Sequence, residues 1–345
     1  PVECSYGGVS IVDNLDMDHH GVTADGRDLS KLESVAIRAY RDCYGKRYQD
    51  PRFVISHIDA DCTFAIASLA GYIPSAANKN NKFLKGKMAE TMSRDFSALA
   101  GTIALLDTDP VGLDRMELPY GKLLSLWHMF YSGVGSNAEL SVHGWRKLMF
   151  SDEEMLAPFF EAAVKEQERL VAKAEADMAE RSVKEEGILV IRGASVFGFD
   201  TWYGKKDGNV RVASSWQNPV VVALYNEGNI IIGTPCAEVA EEMFGENGLK
   251  KVYAKLNELY GLTEGNGFGG HVGIGGSPRN MKMSYDDVRN IALVLNHYRF
   301  VKGKKNRRLY SEASNYSSIG LPDDEKQNNR EKKAGGQSNG IGIIQ

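Results

Sequence analysis

The sequence lacks several features that would place the chain in a specialised class. Its four cysteines are scattered without a CxxC pair, which argues against a disulfide framework and against a thiolate zinc site. No apolar run approaches the roughly 18 residues needed to cross a bilayer, and no charged-then-apolar signal segment opens the chain. We therefore expect a cytoplasmic protein that does not enter a membrane.

The chain also lacks a strong excess of charge of one sign. Its formal net charge is −4 over 345 residues, which argues against a protein that coats nucleic acid by bulk electrostatics. A nucleotide held by a metal or by a few basic side chains is compatible with this charge. The hydrophobic content of 43% and the length are typical of a globular protein with two domains.

Strand-like and helix-like segments alternate in the first part of the chain. GGVSIVDNLD, RFVISHIDAD and GTIALLDTD predict strands, and LSKLESVAIRAYRDCYG and TFAIASLAGYI predict helices. Strands that alternate with helices favour a mostly parallel sheet. We therefore predict an α/β fold in which residues 1–150 form a domain with such a sheet.

A long charged segment follows and predicts a helix that connects two domains, over residues 151–186. Ser151 and Glu154 have the spacing of a capping box at its start. Pro158 predicts either a kink in this helix or its true first turn.

The remainder predicts a second, smaller α/β domain over residues 187–302 and a flexible tail over residues 303–345. Four apolar segments predict strands: ILVIRG, VRVASSW, PVVVALYN and NIIIGTP. Two later segments predict helices: GLKKVYAKLNELYG and SYDDVRNIALVLNHYRF.

Acidic and imidazole side chains cluster where each of the three N-terminal predicted strands ends, the sheet edge at which α/β proteins bind ligands. The clusters are LDMDHHG (Asp16, Asp18, His19, His20), SHIDADC (His57, Asp59, Asp61) and LLDTDPVG (Asp107, Asp109). Because residues two apart in an extended chain point the same way, the three members of the second cluster can converge. Any one cluster alone is explained as well by a polar loop.

Carboxylates packed together without a cation would repel one another strongly. A pair of divalent ions removes this conflict, and mixed carboxylate and imidazole ligands suit Mn²⁺ or another first-row metal. Two such ions about 3.5–4 Å apart clamp a phosphate and turn a bridging water into a hydroxide.

The motifs DHH, HIDAD and LLDTD together resemble the DHH phosphoesterase superfamily, which includes RecJ-like exonucleases, oligoribonucleases and cyclic-dinucleotide phosphodiesterases. GFGGHVGIGGSPR is similar to the glycine–histidine signature of the DHHA1 domain that accompanies this branch. The resemblance implies a DHH-like catalytic domain, followed by a DHHA1-like domain that binds substrate.

The resemblance also implies roles for individual residues. The metal ligands would be Asp18, His19, His57, Asp59, Asp61 and Asp107. His20 would contact the scissile phosphate or the leaving group, and Asp107 would bridge the metals. The substrate would be held by Gly269, Gly270, His271 and Arg279. The cofactor implied is a pair of Mn²⁺ ions, with Mg²⁺ or Co²⁺ as alternatives.

The implied function is metal-dependent hydrolysis of a phosphodiester or phosphomonoester in a small nucleotide or short oligonucleotide; a homodimer is left open. The motif order departs from the family, because DHH at 18–20 precedes HIDAD. Either the domain is circularly permuted or LDMDHHG is a different strand end. A fourth acidic motif is not obvious, with Asp25, Asp28, Asp109 and Asp200 as candidates, and Cys62 replaces a glycine.

Two other functions fit the same residues. A nucleotide sensor of the same fold would have an incomplete metal site and no activity. A different metalloenzyme, such as an amidohydrolase or a phosphatase, would act on a substrate that is not a nucleotide.

Overall fold

The computed structural model describes residues 33–42, 53–55, 60–70, 73, 87–109, 111, 151–263, 267–278, 280–299 and 342–344. These residues form a mixed α/β structure with a six-stranded, mostly antiparallel open sheet. The helix over Glu153–Arg181, which precedes the sheet, and the helix over Tyr285–Tyr298, which follows it, both pack on the sheet. Among the described residues, no helix is long and apolar enough to span a membrane.

Three helices form the part of the structure before residue 112: α1 (Val35–Asp42), α2 (Ala60–Leu69) and α3 (Lys87–Thr108). They pack against one another, and the Tyr40 and Phe64 rings lie 6.2 Å apart. Every residue of α2 is buried, as expected of a helix that is apolar on all sides. The predictions of α1 and α2 from sequence are confirmed.

The prediction of a strand over GTIALLDTD is wrong, because this segment is the second half of α3. The buried apolar residues of α3, which are Phe96, Leu99, Ala100, Ile103 and Ala104, recur at helical spacing. The Thr102 and Thr108 hydroxyls donate to carbonyls four residues earlier, at 2.8 and 2.6 Å, so their oxygens are satisfied within the helix.

The strand β1 (Phe53–Ile55) lies in the predicted strand RFVISHIDAD and pairs antiparallel with β8 (Gly342–Ile344), within the predicted tail. The extended conformation predicted as far as Asp61 is wrong, since α2 already begins at Ala60. The parallel sheet predicted for residues 1–150 stays a prediction, because the first predicted strand and half of the second lie outside the described residues, although the third is part of α3.

The long connecting helix is present as α4 (Glu153–Arg181). The prediction of Ser151 as its cap is wrong by one position: Asp152 is the N-cap, and its carboxylate accepts a bond from the Met155 amide at 2.9 Å. Pro158 lies inside the helix rather than at its start. The helix ends five residues before the predicted limit of 186, because the next strand begins at Ser182.

The sheet contains β2 (Ser182–Glu185), β3 (Ile188–Ala194), β4 (Val221–Tyr225), β5 (Ile230–Gly233), β6 (Gly269–Gly270) and β7 (Ile274–Gly276). Their order across the sheet is β2-β3-β4-β5-β7-β6, and only the β3–β4 pair is parallel. Three predicted strands, ILVIRG, PVVVALYN and NIIIGTP, are confirmed as β3, β4 and β5.

Both faces of the sheet are covered, since four consecutive residues of β3, Ile188 to Ile191, are all buried. The helices after α4 are α5 (Phe199–Tyr203), α6 (Ala237–Phe244), α7 (Lys250–Tyr260) and α8 (Tyr285–Tyr298). The last two confirm the predicted helices. A capping box between Ser284 and Asp287 sets the start of α8.

The prediction of a strand over VRVASSW is wrong. Residues 210–216 form a turn and a short 3₁₀ helix, Ala213–Ser215. The Trp216 indole N–H donates to the Val210 carbonyl at 2.8 Å, which closes the segment on itself. The alternation of apolar and polar residues here therefore reflects a folded loop.

Candidate functional site at the glycine–histidine hairpin

Three of the residues predicted to bind substrate lie together at the edge of the sheet. Residues 267–276, the glycine–histidine hairpin, contain β6 and β7, with Gly269 opposite Gly276 and Gly270 opposite Gly275. The His271 amide donates to the Ile274 carbonyl at 2.7 Å and closes the turn. Arg279, the fourth predicted residue, lies outside the described residues.

Close packing requires glycine at two positions of the hairpin. A Cβ on Gly275 would lie 2.3 Å from the Gly269 carbonyl oxygen and 2.5 Å from the Tyr253 hydroxyl. A Cβ on Gly270, whose φ is +147°, would lie 2.3 Å from the Gly275 Cα. The two strands therefore approach more closely than side chains allow.

Gly269 differs from these two positions, because a Cβ there would meet no atom of the described residues within 4 Å. Both residues of β6 are exposed. The packing of the described residues thus gives no reason for a glycine at 269, and the space above it is open to a ligand.

The hairpin is anchored to its neighbours by backbone contacts. The Thr234 amide donates to the Gly273 carbonyl at 2.7 Å, and the Leu249 amide donates to Val272 at 2.9 Å. The Asn257 carboxamide pairs with both backbone groups of Phe268, at 2.6 and 3.0 Å. The His271 turn is therefore held against the segment between β5 and α6, residues 234–236, which we call the β5–α6 turn.

Cys236 closes the β5–α6 turn and is the N-cap residue of α6. A Cβ on Gly273 would lie 3.1 Å from the Cys236 backbone, so the hairpin and the turn touch directly. Burial raises the pKa of the Cys236 thiol to about 11. The thiol is therefore protonated at neutral pH and is poorly suited to act as a nucleophile.

An ion-pair cluster that sequence reasoning missed connects this turn to the end of α3. The Arg211 guanidinium contacts Asp109 at 2.8 Å and also bonds to Glu238 in the first turn of α6. Burial alone would raise the pKa of Glu238, but a backbone hydrogen bond and Arg211 outweigh it and lower that pKa. The pairing with Asp109 spans 102 residues of sequence, so no local pattern could reveal it.

Asp61, a predicted metal ligand, lies 3% exposed in the first turn of α2. Its Oδ1 accepts a bond from the Ala36 amide at 3.0 Å and another from the Ser34 hydroxyl, and its Oδ2 accepts the Val35 amide at 3.3 Å. Asp61 therefore caps the N-terminus of α1, where a negative charge is favourable. These contacts account for a buried carboxylate without a metal.

Asp107 is exposed near the C-terminus of α3, two residues before the ion pair of Asp109. The other predicted ligands and the predicted catalytic histidine lie outside the described residues: Asp18, His19, His57, Asp59 and His20. Within the described part of the chain, no group of three His, Cys, Asp or Glu side chains could hold a metal ion. The described residues alone therefore do not form the predicted metal centre.

No protein-family model and no curated protein matches the sequence.

The described arrangement suits the binding of a small ligand at its edge. Exposed glycines and a nearby imidazole let backbone amides approach an anion or a flat ring closely. Arg211 adds a cation next to the same turn, although two carboxylates already contact it. The geometry therefore offers a binding surface, whereas most of the residues predicted to bind metal lie outside the described part of the chain.

Proposed function

We propose that the protein is a metal-dependent phosphoesterase that hydrolyses a phosphodiester or phosphomonoester in a small nucleotide or short oligonucleotide. In this proposal residues 1–150 form a DHH-like domain with a mostly parallel sheet, and the sheet of β2 to β7 belongs to a DHHA1-like domain. The proposed setting is the cytoplasm, and the protein is a monomer or a homodimer.

The observation that carries the proposal is a continuous path of contacts between two of the motifs. Asp109, at the end of LLDTD, contacts Arg211, and Arg211 contacts Glu238 in the first turn of α6. Cys236, two residues earlier, touches Gly273 of the glycine–histidine hairpin. An acidic motif and the hairpin thus lie beside the same turn, as a shared active site requires.

The proposed metal centre depends chiefly on residues outside the described part of the chain: Asp18, His19, His57 and Asp59. Asp107 would complete it, whereas Asp61 contributes least, since three donors already contact its carboxylate. When bound, two Mn²⁺ ions supply a hydroxide nucleophile and neutralise charge on the phosphate. His20 would stabilise the charge that develops on the phosphate oxygens.

Gly269, Gly270 and His271 would hold the far end of the substrate, with Arg279 beside them. The space above Gly269 supports this role, because no packing contact with a described residue explains its missing side chain. Binding energy from this remote end would orient the phosphate toward the hydrolytic centre.

The test measures the release of mononucleotides from a fluorescent dinucleotide by the full chain, with and without added Mn²⁺. The wild-type protein should cleave the dinucleotide only when Mn²⁺ is added. Asp59→Ala should lose at least the roughly 10–100-fold that loss of an outer-shell metal partner costs, with an unchanged melting temperature. Glu168→Gln, an exposed position of α4, is the matched control and should be fully active. Normal cleavage by Asp59→Ala would show that the active site is misplaced.

One observation favours a second function. The capping role of Asp61 fits a protein that keeps this fold but has an incomplete metal site, and therefore binds a nucleotide without cleaving it. Tight dinucleotide binding in calorimetry without turnover would favour this sensor. Turnover of pyrophosphate or a phosphosugar in preference to the dinucleotide would favour a different metalloenzyme.

A further inference from the structure

Arg211 lies in a loop whose conformation is fixed independently of its ion pairs. Its own amide donates to the Asn209 side chain at 3.0 Å, and the Ala213 amide donates to the Glu242 carboxylate at 2.7 Å. The Lys206 amide donates to the Ser215 carbonyl at 2.7 Å and closes the base of the loop. The backbone of the loop is therefore held in place by bonds other than the ion pairs of Arg211.

The partner of Arg211 on the other side is the last turn of α3. The Asp109 amide donates to the Leu105 carbonyl at 2.9 Å, so Asp109 continues the helix that carries Asp107. Val111 packs, partly buried, against the core of the sheet. Among the described contacts, the packing of Val111 and the ion pair with Arg211 thus connect the end of α3 to the region that contains the sheet.

The charged groups of this contact are largely shielded from solvent. The side chain of Arg211 is 27% exposed and that of Asp109 is 22% exposed. Glu238 is more open, at 47%. Partial burial strengthens an ion pair and makes its geometry more definite than that of a surface pair, and the guanidinium can contact two carboxylates at once because its donors form a rigid fork.

We propose that Arg211 is a positioning residue that holds the end of α3, and with it Asp107, beside the β5–α6 turn and the glycine–histidine hairpin. This inference rests on the proposed function, because positioning matters only if Asp107 and the hairpin act on one substrate. Arg211 itself contacts neither the substrate nor the reacting atoms in this view. Its two ion pairs have different roles: the pair with Asp109 sets the position of α3, and the pair with Glu238 only orients the guanidinium.

The experiment compares Arg211→Met, Arg211→Lys and Glu238→Gln in the full chain. Arg211→Met removes both ion pairs and should lower kcat for the dinucleotide about tenfold while KM changes less than about twofold. Arg211→Lys keeps one cation and should restore part of kcat. Glu238→Gln, which leaves the Asp109 contact, should stay within about twofold of wild type.

Hydrogen exchange at the amides of residues 105–109 gives a second measurement that does not depend on catalysis. Arg211→Met should exchange about tenfold faster there, and Glu238→Gln should match wild type. Equal exchange in the two variants would overturn the attachment of α3 by Arg211. Faster exchange with an unchanged kcat would overturn the positioning role. If wild type shows no turnover but the exchange difference persists, the proposed function fails and only the attachment survives.

Discussion

Among the described residues, the helices before residue 112 and the region after residue 150 each bury one aspartate to 3% exposure, and each uses it in a different way. Asp61 receives the amides that open α1 and so links two helices through a helix terminus. Asp177, in α4, accepts the amide and hydroxyl of Ser195 at 2.7 and 2.9 Å and has Arg181 at 3.4 Å. In both regions the buried carboxylate holds a distant segment, so burial of an acidic residue is not by itself a sign of a metal.

The acidic motif and the glycine motif differ in whether the described structure accounts for their residues. The buried carboxylate of the acidic motif that the structure describes, Asp61, has a structural explanation. In the glycine motif, Gly270 and Gly275 have one too, but Gly269 has none. The indication of a ligand therefore comes from the sheet, and the following experiments test that contrast.

The largest effect is expected at Gly275. Gly275→Ala would place a methyl group 2.3 Å from a backbone oxygen, which side-chain movement cannot relieve, and should cost about 3 kcal/mol or more of unfolding free energy. Gly269→Ala, the matched control on the facing strand, should change stability by less than about 0.5 kcal/mol. Urea denaturation measures both. Equal costs would mean that Gly269 is also explained by packing.

A smaller effect is expected at Asp61. Asp61→Asn should lose about 2–3 kcal/mol in the absence of any metal, because the N-terminus of α1 loses its charged acceptor. Asp107→Asn, at an exposed position, should stay within about 0.5 kcal/mol of wild type. Thermal unfolding in EDTA measures this difference. An Asp61→Asn variant that unfolds normally in EDTA but binds Mn²⁺ more weakly would instead identify Asp61 as a ligand.

The smallest effect concerns Glu238 and pH. Its pKa is lower in the folded protein than in the unfolded chain, so its ion pair stabilises the fold above about pH 4.5 and loses this effect as the pH falls below that value. Because the side chain is nearly half exposed, solvent screening limits the contribution to below about 1 kcal/mol. Wild type should exceed Glu238→Gln in melting temperature at pH 7, and this difference should shrink as the pH falls below about 4.5. A difference that grows on acidification would contradict the assignment.

Elements with one dominant pattern could be predicted from sequence. The apolar runs of β3, β4 and β5 and the helical spacing of α7 and α8 carry their own signal. GTIALLDTD was mistaken for a strand because a short apolar run fits a buried strand and a buried helix equally well. Two facts decide for a helix: the segment continues the preceding helical turns, and the Thr102 hydroxyl bonds to a carbonyl four residues earlier. Both facts depend on residues before the segment.

The candidate site was predictable only where a motif is local. The hairpin residues Gly269, Gly270 and His271 are adjacent in sequence and in the structure. The sequence gives no local signal for the role of Arg211, since its partners Asp109 and Glu238 lie far from it along the chain. Its own segment also has the pattern of a strand. The prediction of Asp61 as a metal ligand depends on alternation along an extended chain, and the helix that begins at Ala60 removes that argument.

The sheet ends at β6, a strand of only two residues, both of them glycine. An exposed outer strand can recruit a strand from another molecule and so start aggregation. A two-residue strand offers too few backbone groups in a row for stable intermolecular pairing, and glycine adds no apolar side chains to such a contact. The segment that gives the hairpin its open surface should therefore also keep copies of the protein from pairing through this edge of the sheet at high concentration.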